Sequence, residues 1–114
     1  MKKLLIPAIA ALFVANAYSA ASVTGKIKRV RVDHDGRAMI VFEQPLGGTP
    51  AACSDKQNYG NALAVDARTE GGKAVLSMAL AAKLSGSTVA AFGSGTCGLY
   101  GGSVIETWNI GSLE

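Results

Sequence analysis

Apolar and polar positions fall into two regimes along this chain. On both sides of its centre they alternate in short runs, the period of half-buried strands. Between Lys73 and Leu84 the alternation stops, and the run is Ala, Leu, Met and Lys with one valine and one serine. Those are strong helix formers. The pattern predicts strands over Val23–Asp33, Arg37–Gln44 and Asn61–Ala67, a helix over Lys73–Leu84, then strands over Ser87–Gly93 and Ser103–Ile110.

Punctuation supports the helix. The Thr69 hydroxyl is placed to accept a hydrogen bond from a first-turn N–H. Glu70 and Lys83 carry charges that suit the N- and C-terminal ends of the helix dipole. Gly86 is placed for the left-handed residue that ends many helices. Leu76, Leu80 and Leu84 form one side, and Val75, Met78, Ala79 and Ala82 extend it around most of the rest. Such a helix is expected to be buried on nearly all sides, against the sheet and against either a second copy of the chain or an intramolecular pocket.

The first strand changes phase. Val23, Gly25 and Ile27 share one face, whereas Val30 and Val32 fall on the other. A slip of one residue around Lys28 and Arg29 restores a continuous inner face, which is the pattern of a β-bulge. A long bent strand can serve both halves of a folded sheet. With the order β-β-β-α-β-β this predicts a mainly β fold with one helix, a five-stranded OB-like barrel with the helix plugging one end. The alternative is an open α+β sheet with one covering helix. His34-Asp35-Gly36 reads as a hairpin turn, and Pro45–Gly60 as a long loop.

The first residues alter the charge and the compartment. Lys2 and Lys3, an apolar run from Leu4 to Val14 and the small residues Ala15-Asn16-Ala17 read as a secretory signal peptide over 1–17. Cleavage is expected after Ala17, with Ala21 as second choice; an uncleaved membrane anchor is the rival reading. Residues 18–114 then form a single domain. Losing Lys2 and Lys3 leaves nine basic against eight acidic residues, so the net charge falls from +3 to +1. That is weak support for nucleic acid as a partner. No second apolar segment is long enough to span a bilayer, so a periplasmic or secreted protein is expected. Two cysteines in an exported chain predict one disulfide, Cys53–Cys97. The rival is a reactive thiol pair or half a metal site.

Little in the chain suggests catalysis. His34, the single histidine, sits in a polar turn with Asp33 and Asp35, either as a metal ligand or, more simply, in water. The downstream glutamate of a calcium loop is missing. Glu43, Asp66, Glu70 and Glu106 are carboxylates that nothing in the sequence pairs, as a glycosidase would require. The turn Ser94-Gly95-Thr96-Cys97-Gly98 lacks the lysine and following helix of a phosphate cradle. No enzyme, metal or cofactor is therefore expected. Lys26, Lys28, Arg29, Arg31 and Arg37 are a basic run that either meets an anionic partner or protects a sheet edge from aggregation. Tyr59 and Tyr100 border the two loops and are ligand candidates with Lys28, Arg29 and Arg31; Trp108 is a ligand or core candidate.

Ala74–Val89, with its A-x-L…A…SG-x-x-V pattern, resembles the helix–strand joint in B subunits of subtilase-type AB5 toxins. The chain also resembles small secreted bacterial proteins of unassigned function through GKI, a cysteine, ALAVD, EGGKAVLSMALAAK and V…GSGTC. The toxin resemblance implies a disulfide-bonded OB fold, a pentameric ring and glycan binding, but no sugar-binding residue of that family maps onto a position here. The expectation is a non-catalytic binding module with a glycan, envelope component or protein as partner, and a homo-oligomer through helix 73–84. The alternative is a monomer binding a peptide, envelope component or anion through the basic strand.

Overall fold

The computed structural model describes residues 20–100, 102 and 104–114. The expected signal peptide and cleavage after Ala17 lie outside these residues. The elements are β1 (Ala21–Val32), β2 (Arg37–Phe42), β3 (Gly47–Gly48), α1 (Lys56–Tyr59), β4 (Ala62–Asp66), α2 (Glu70–Ser85), β5 (Thr88–Gly93) and β6 (Trp108–Leu113). They form a six-stranded antiparallel sheet in the order β4-β2-β1-β5-β6, with the two-residue β3 paired to the start of β1.

β1 belongs to both halves of the sheet. Ser22–Lys26 pair with β5, Ile27–Val32 pair with β2, and the register shifts between Ile27 and Arg29. Lys28 is the extra residue, at the predicted bulge. The strand bends there and changes partner. Val30 then shares a face with Ile40, and Arg29 and Arg31 with Val41 and Met39.

The sheet path is open, with β4 and β6 as its ends. They approach through a single parallel bridge, Ala64 with Thr107, beside the Ala64 N–H donating to the Glu106 carbonyl at 2.9 Å. A continuous ladder of five strands, as the sequence led one to expect, is not observed. The reason is local: the last strand, expected from Ser103, starts only at Trp108 and runs to Leu113, so irregular chain occupies the closing position.

The main core lies between the inner face of the sheet and α2. It contains Val23, Ile27, Ile40, Phe42, Leu63 and Val89 with Ala79 and Ala82 of the helix. Trp108 joins it, stacked on Phe42 with ring centroids 6.5 Å apart. α2 is capped as predicted, though it starts at Glu70 rather than Lys73: the Thr69 hydroxyl accepts from the Gly72 N–H at 2.9 Å, and Gly86 takes φ +70°. Small residues, Gly72, Ala79 and Ala82, form its buried side. The expectation of burial on nearly all sides fails within one chain: Leu80 is 45% exposed and Leu84 88%.

A second apolar cluster, absent from the sequence reading, covers the other face of β2 and β4. Met39, Val41, Ala62 and Ala64 are buried there with Ile105, and Tyr59, Leu99, Tyr100 and Val104 pack on them. β2 is thus buried on both faces. The two long loops form its roof.

Candidate functional site

The roof has two ties. The first is the disulfide Cys53–Cys97, with Cα atoms 6.1 Å apart, joining loops 44 residues apart in sequence. The second is Glu106, whose side chain is fully buried. Its Oε1 accepts from the Ala51 N–H at 2.6 Å, and its Oε2 from Ala21 at 2.9 Å and Gly95 at 3.2 Å. Ala51 and Gly95 each lie two residues before a cysteine, so one carboxylate and one disulfide hold the same pair of segments. Backbone N–H donors satisfy a buried carboxylate without any cation. Gly93 makes room for it, since a Cβ there would lie 1.7 Å from Oε2. Sequence reasoning noted Glu106 only as an unpaired carboxylate. Its signal was its place in the apolar run Val104-Ile105-Glu106-Thr107-Trp108.

At the edge of the second cluster lies a belt of ion pairs between neighbours in sequence. Arg31 bonds Asp33 at 2.9 Å, Arg68 bonds Asp66 at 2.8 Å, and Arg37 Nε bonds Asp35 at 2.7 Å. Arg37 also donates to the Leu99 carbonyl at 3.1 Å and lies 5.4 Å from the Tyr100 ring centre. It therefore clamps the loop onto β2 through a cation–π contact and a hydrogen bond. The Arg37 guanidinium draws the Asp35 carboxyl down to about 2. Burial pushes Tyr100 up to about 12, with the Asp33 carboxylate adding to the shift. The Tyr100 hydroxyl itself is buried with no hydrogen-bond partner among the described residues.

The structure brings Arg29, Arg31, Tyr59 and Tyr100 to one face of the sheet, with Lys28 at the bulge beside them. The two tyrosines are half-buried in the second cluster, and the three cations are exposed. Lys26, Lys28 and Arg29 have no carboxylate partner among the described residues, whereas Arg31, Arg37 and Arg68 do. The open cationic surface is therefore narrower than the basic run suggested. It is the middle of β1.

Two grooves of about 280 and 300 Å³ flank Val75 and Trp108, at the seam where β4 and β6 separate under α2. Asp66 is the single ionisable residue in their lining, and it is held by Arg68. A general acid–base pair needs two groups within reach of one substrate. Neither groove brings two together. His34 is exposed in its turn, and no group of three metal-ligating side chains occurs among the described residues. No helix among them is long and apolar enough to cross a membrane.

No protein-family model, curated protein or solved structure matches this chain.

Proposed function

We propose that the protein is an exported, non-catalytic binding module on an OB-like barrel, cleaved from a signal peptide over 1–17, that works as an assembly of copies packed through α2. The single observation that carries this reading is the exposure of Leu80 and Leu84 on the outer side of an otherwise well-capped helix. An isolated exposed leucine needs no explanation, but two in adjacent turns, with Ala81 between them, form an uncovered apolar strip. The barrel reading is supported by the shared, bent β1 and by the Ala64–Thr107 bridge, which brings the sheet ends together in parallel. The disulfide fits an oxidising compartment, periplasmic or extracellular.

The ligand class proposed is a glycan or anionic envelope component, met by the exposed cations of β1. Assembly multiplies weak single-site binding, because linked sites share an effective concentration. A glycan and lipopolysaccharide array tests both parts. Wild-type protein is expected to be retained, and Leu80→Glu/Leu84→Glu to lose at least about a hundredfold in apparent affinity. Equal retention of both contradicts the assembly; no retention of either contradicts the ligand class.

A second reading, a monomeric anion binder, is favoured by Lys26, Lys28 and Arg29, which have no carboxylate partner among the described residues. It predicts that replacing these three with serine abolishes salt-sensitive binding while the Leu80 and Leu84 substitutions leave it intact.

A further inference from the structure

Two backbone hydrogen bonds at the start of β1 bear on where the exported chain is cut. The Ala21 N–H donates to Glu106 Oε2 at 2.9 Å, and the Ala20 carbonyl accepts from the Thr49 N–H at 3.1 Å. Ala21 is fully buried and pairs with Gly48 of β3. These residues stand within the folded domain, yet they also lie beside the second small-residue cleavage signal.

We infer that processing leaves Ala20 and Ala21 on the mature chain, so that of the two candidate cuts the one after Ala17 is the one the fold accommodates, and that Glu106 is the internal receptor for the strand so retained. The inference rests on the export reading above. A cut after Ala21 starts the chain at Ser22. It deletes one of the three donors to a fully buried carboxylate, removes the partner of the Thr49 N–H, and leaves β3 with Ser22 alone to pair with. The fully buried Glu106 carboxylate carries the cost, because a buried polar group that loses a donor is strongly disfavoured, whereas the exposed Thr49 N–H can turn to water. A cut after Ala20 keeps the Ala21 nitrogen, as an ammonium facing the Glu106 carboxylate, but removes the Ala20 carbonyl that accepts from Thr49 and so unties the strand's first residue from the loop. A cut after Ala17 keeps every one of these bonds.

The three donors give the receptor a role in maturation. The beginning of β1, the segment before Cys53 and the segment before Cys97 meet at one side chain. The start of the mature chain is thereby gathered with the two segments whose cysteines pair.

N-terminal sequencing with intact mass of the exported protein tests the site directly. The expected chain starts Tyr18-Ser19-Ala20-Ala21. A chain starting at Ala21 or Ser22 overturns the inference. A chain that still carries Met1 overturns the export reading, and the inference with it. The receptor role is tested on folded chains starting at Tyr18 and at Ser22, each with Glu106 and with Glu106→Gln. Trimming to Ser22 is expected to lower the folding equilibrium constant about tenfold or more with Glu106 in place, the scale of a hydrogen bond to a charged group. The loss should shrink clearly in the Glu106→Gln background, because coupled groups are non-additive. Equal losses in the two backgrounds overturn the receptor role.

Discussion

The two sides of the molecule handle their apolar surface differently. The outer face of β2 and β4 is roofed from within the chain by Tyr59, Leu99, Tyr100, Val104 and Ile105, tied down by a disulfide and a buried carboxylate. Among the described residues nothing roofs the outer side of α2: Leu80 and Leu84 face outward beyond the buried Ala79 and Ala82. A chain this small can build one cross-linked cover at the cost of two long loops. It has no third loop left for the helix. The difference teaches that the roofed side is held by ties within the chain, and that the bare side is where the proposed association would act.

Removing the disulfide should act most strongly. Cys53→Ser/Cys97→Ser frees a 44-residue separation, for which the chain-entropy model gives about 4 kcal/mol. Urea unfolding measures that loss. Hydrogen exchange then sharpens the comparison: protection should fall at Tyr59 and Asp55 in the roof while Ile40 and Val89 in the main core stay slow. Uniform loss across both clusters would mean that the two sides are not separable.

Glu106→Ala is next, at about 3 kcal/mol, since it leaves two buried N–H groups and one part-buried one without their acceptor. Glu106→Gln should recover part of that loss, because the amide keeps one acceptor oxygen. A loss below about 1 kcal/mol for the alanine variant would remove the carboxylate from the account.

On the bare side the signs reverse. Leu84→Glu should change monomer stability by no more than about 0.5 kcal/mol, the usual range for an exposed position. Its effect should appear in association alone. A large stability loss in dilute solution would show that Leu84 packs within its own chain.

The smallest effect is a pH dependence of the ion-pair belt. Asp35 titrates at about 2 in the folded chain against 3.8 unfolded, because Arg37 bonds its carboxylate. A depressed folded value means that the contribution is present above about pH 4 and is lost as pH falls toward 2. Asp35→Asn should flatten that part of the stability curve. An unchanged slope would separate the belt from the clamp on Tyr100.

Much of the regular half was legible in the sequence. The phase change at Lys28 and Arg29, the Thr69 cap and the Gly86 stop are local signals, and each stands where its local chemistry put it. Phe42 on the inner face followed from alternation. The roof was not legible, because Ile105 and Tyr100 are placed by a disulfide and by hydrogen bonds to residues far away in sequence. Their own neighbours carry no period. The last strand was misplaced for the same reason: Val104 and Ile105 look like the strand's beginning but pack as loop on the second cluster. Of the candidate site, the positions of Lys28, Arg29 and Arg31 on one strand were readable. The neutralisation of Arg31 by Asp33 was not, since it needs the turn geometry after β1. The burial of α2 was overestimated because composition counts apolar residues on every side, whereas the helix fully buries only Gly72, Ala79 and Ala82 and part-buries Val75, Leu76 and Met78 against the core.

Native mass spectrometry of the oxidised protein over residues 18–114, run beside Leu84→Glu, tests the association claim most directly. The account predicts a multiple of the single-chain mass that collapses to one chain in the variant. A single chain at every concentration, or an assembly that the variant leaves intact, would contradict it.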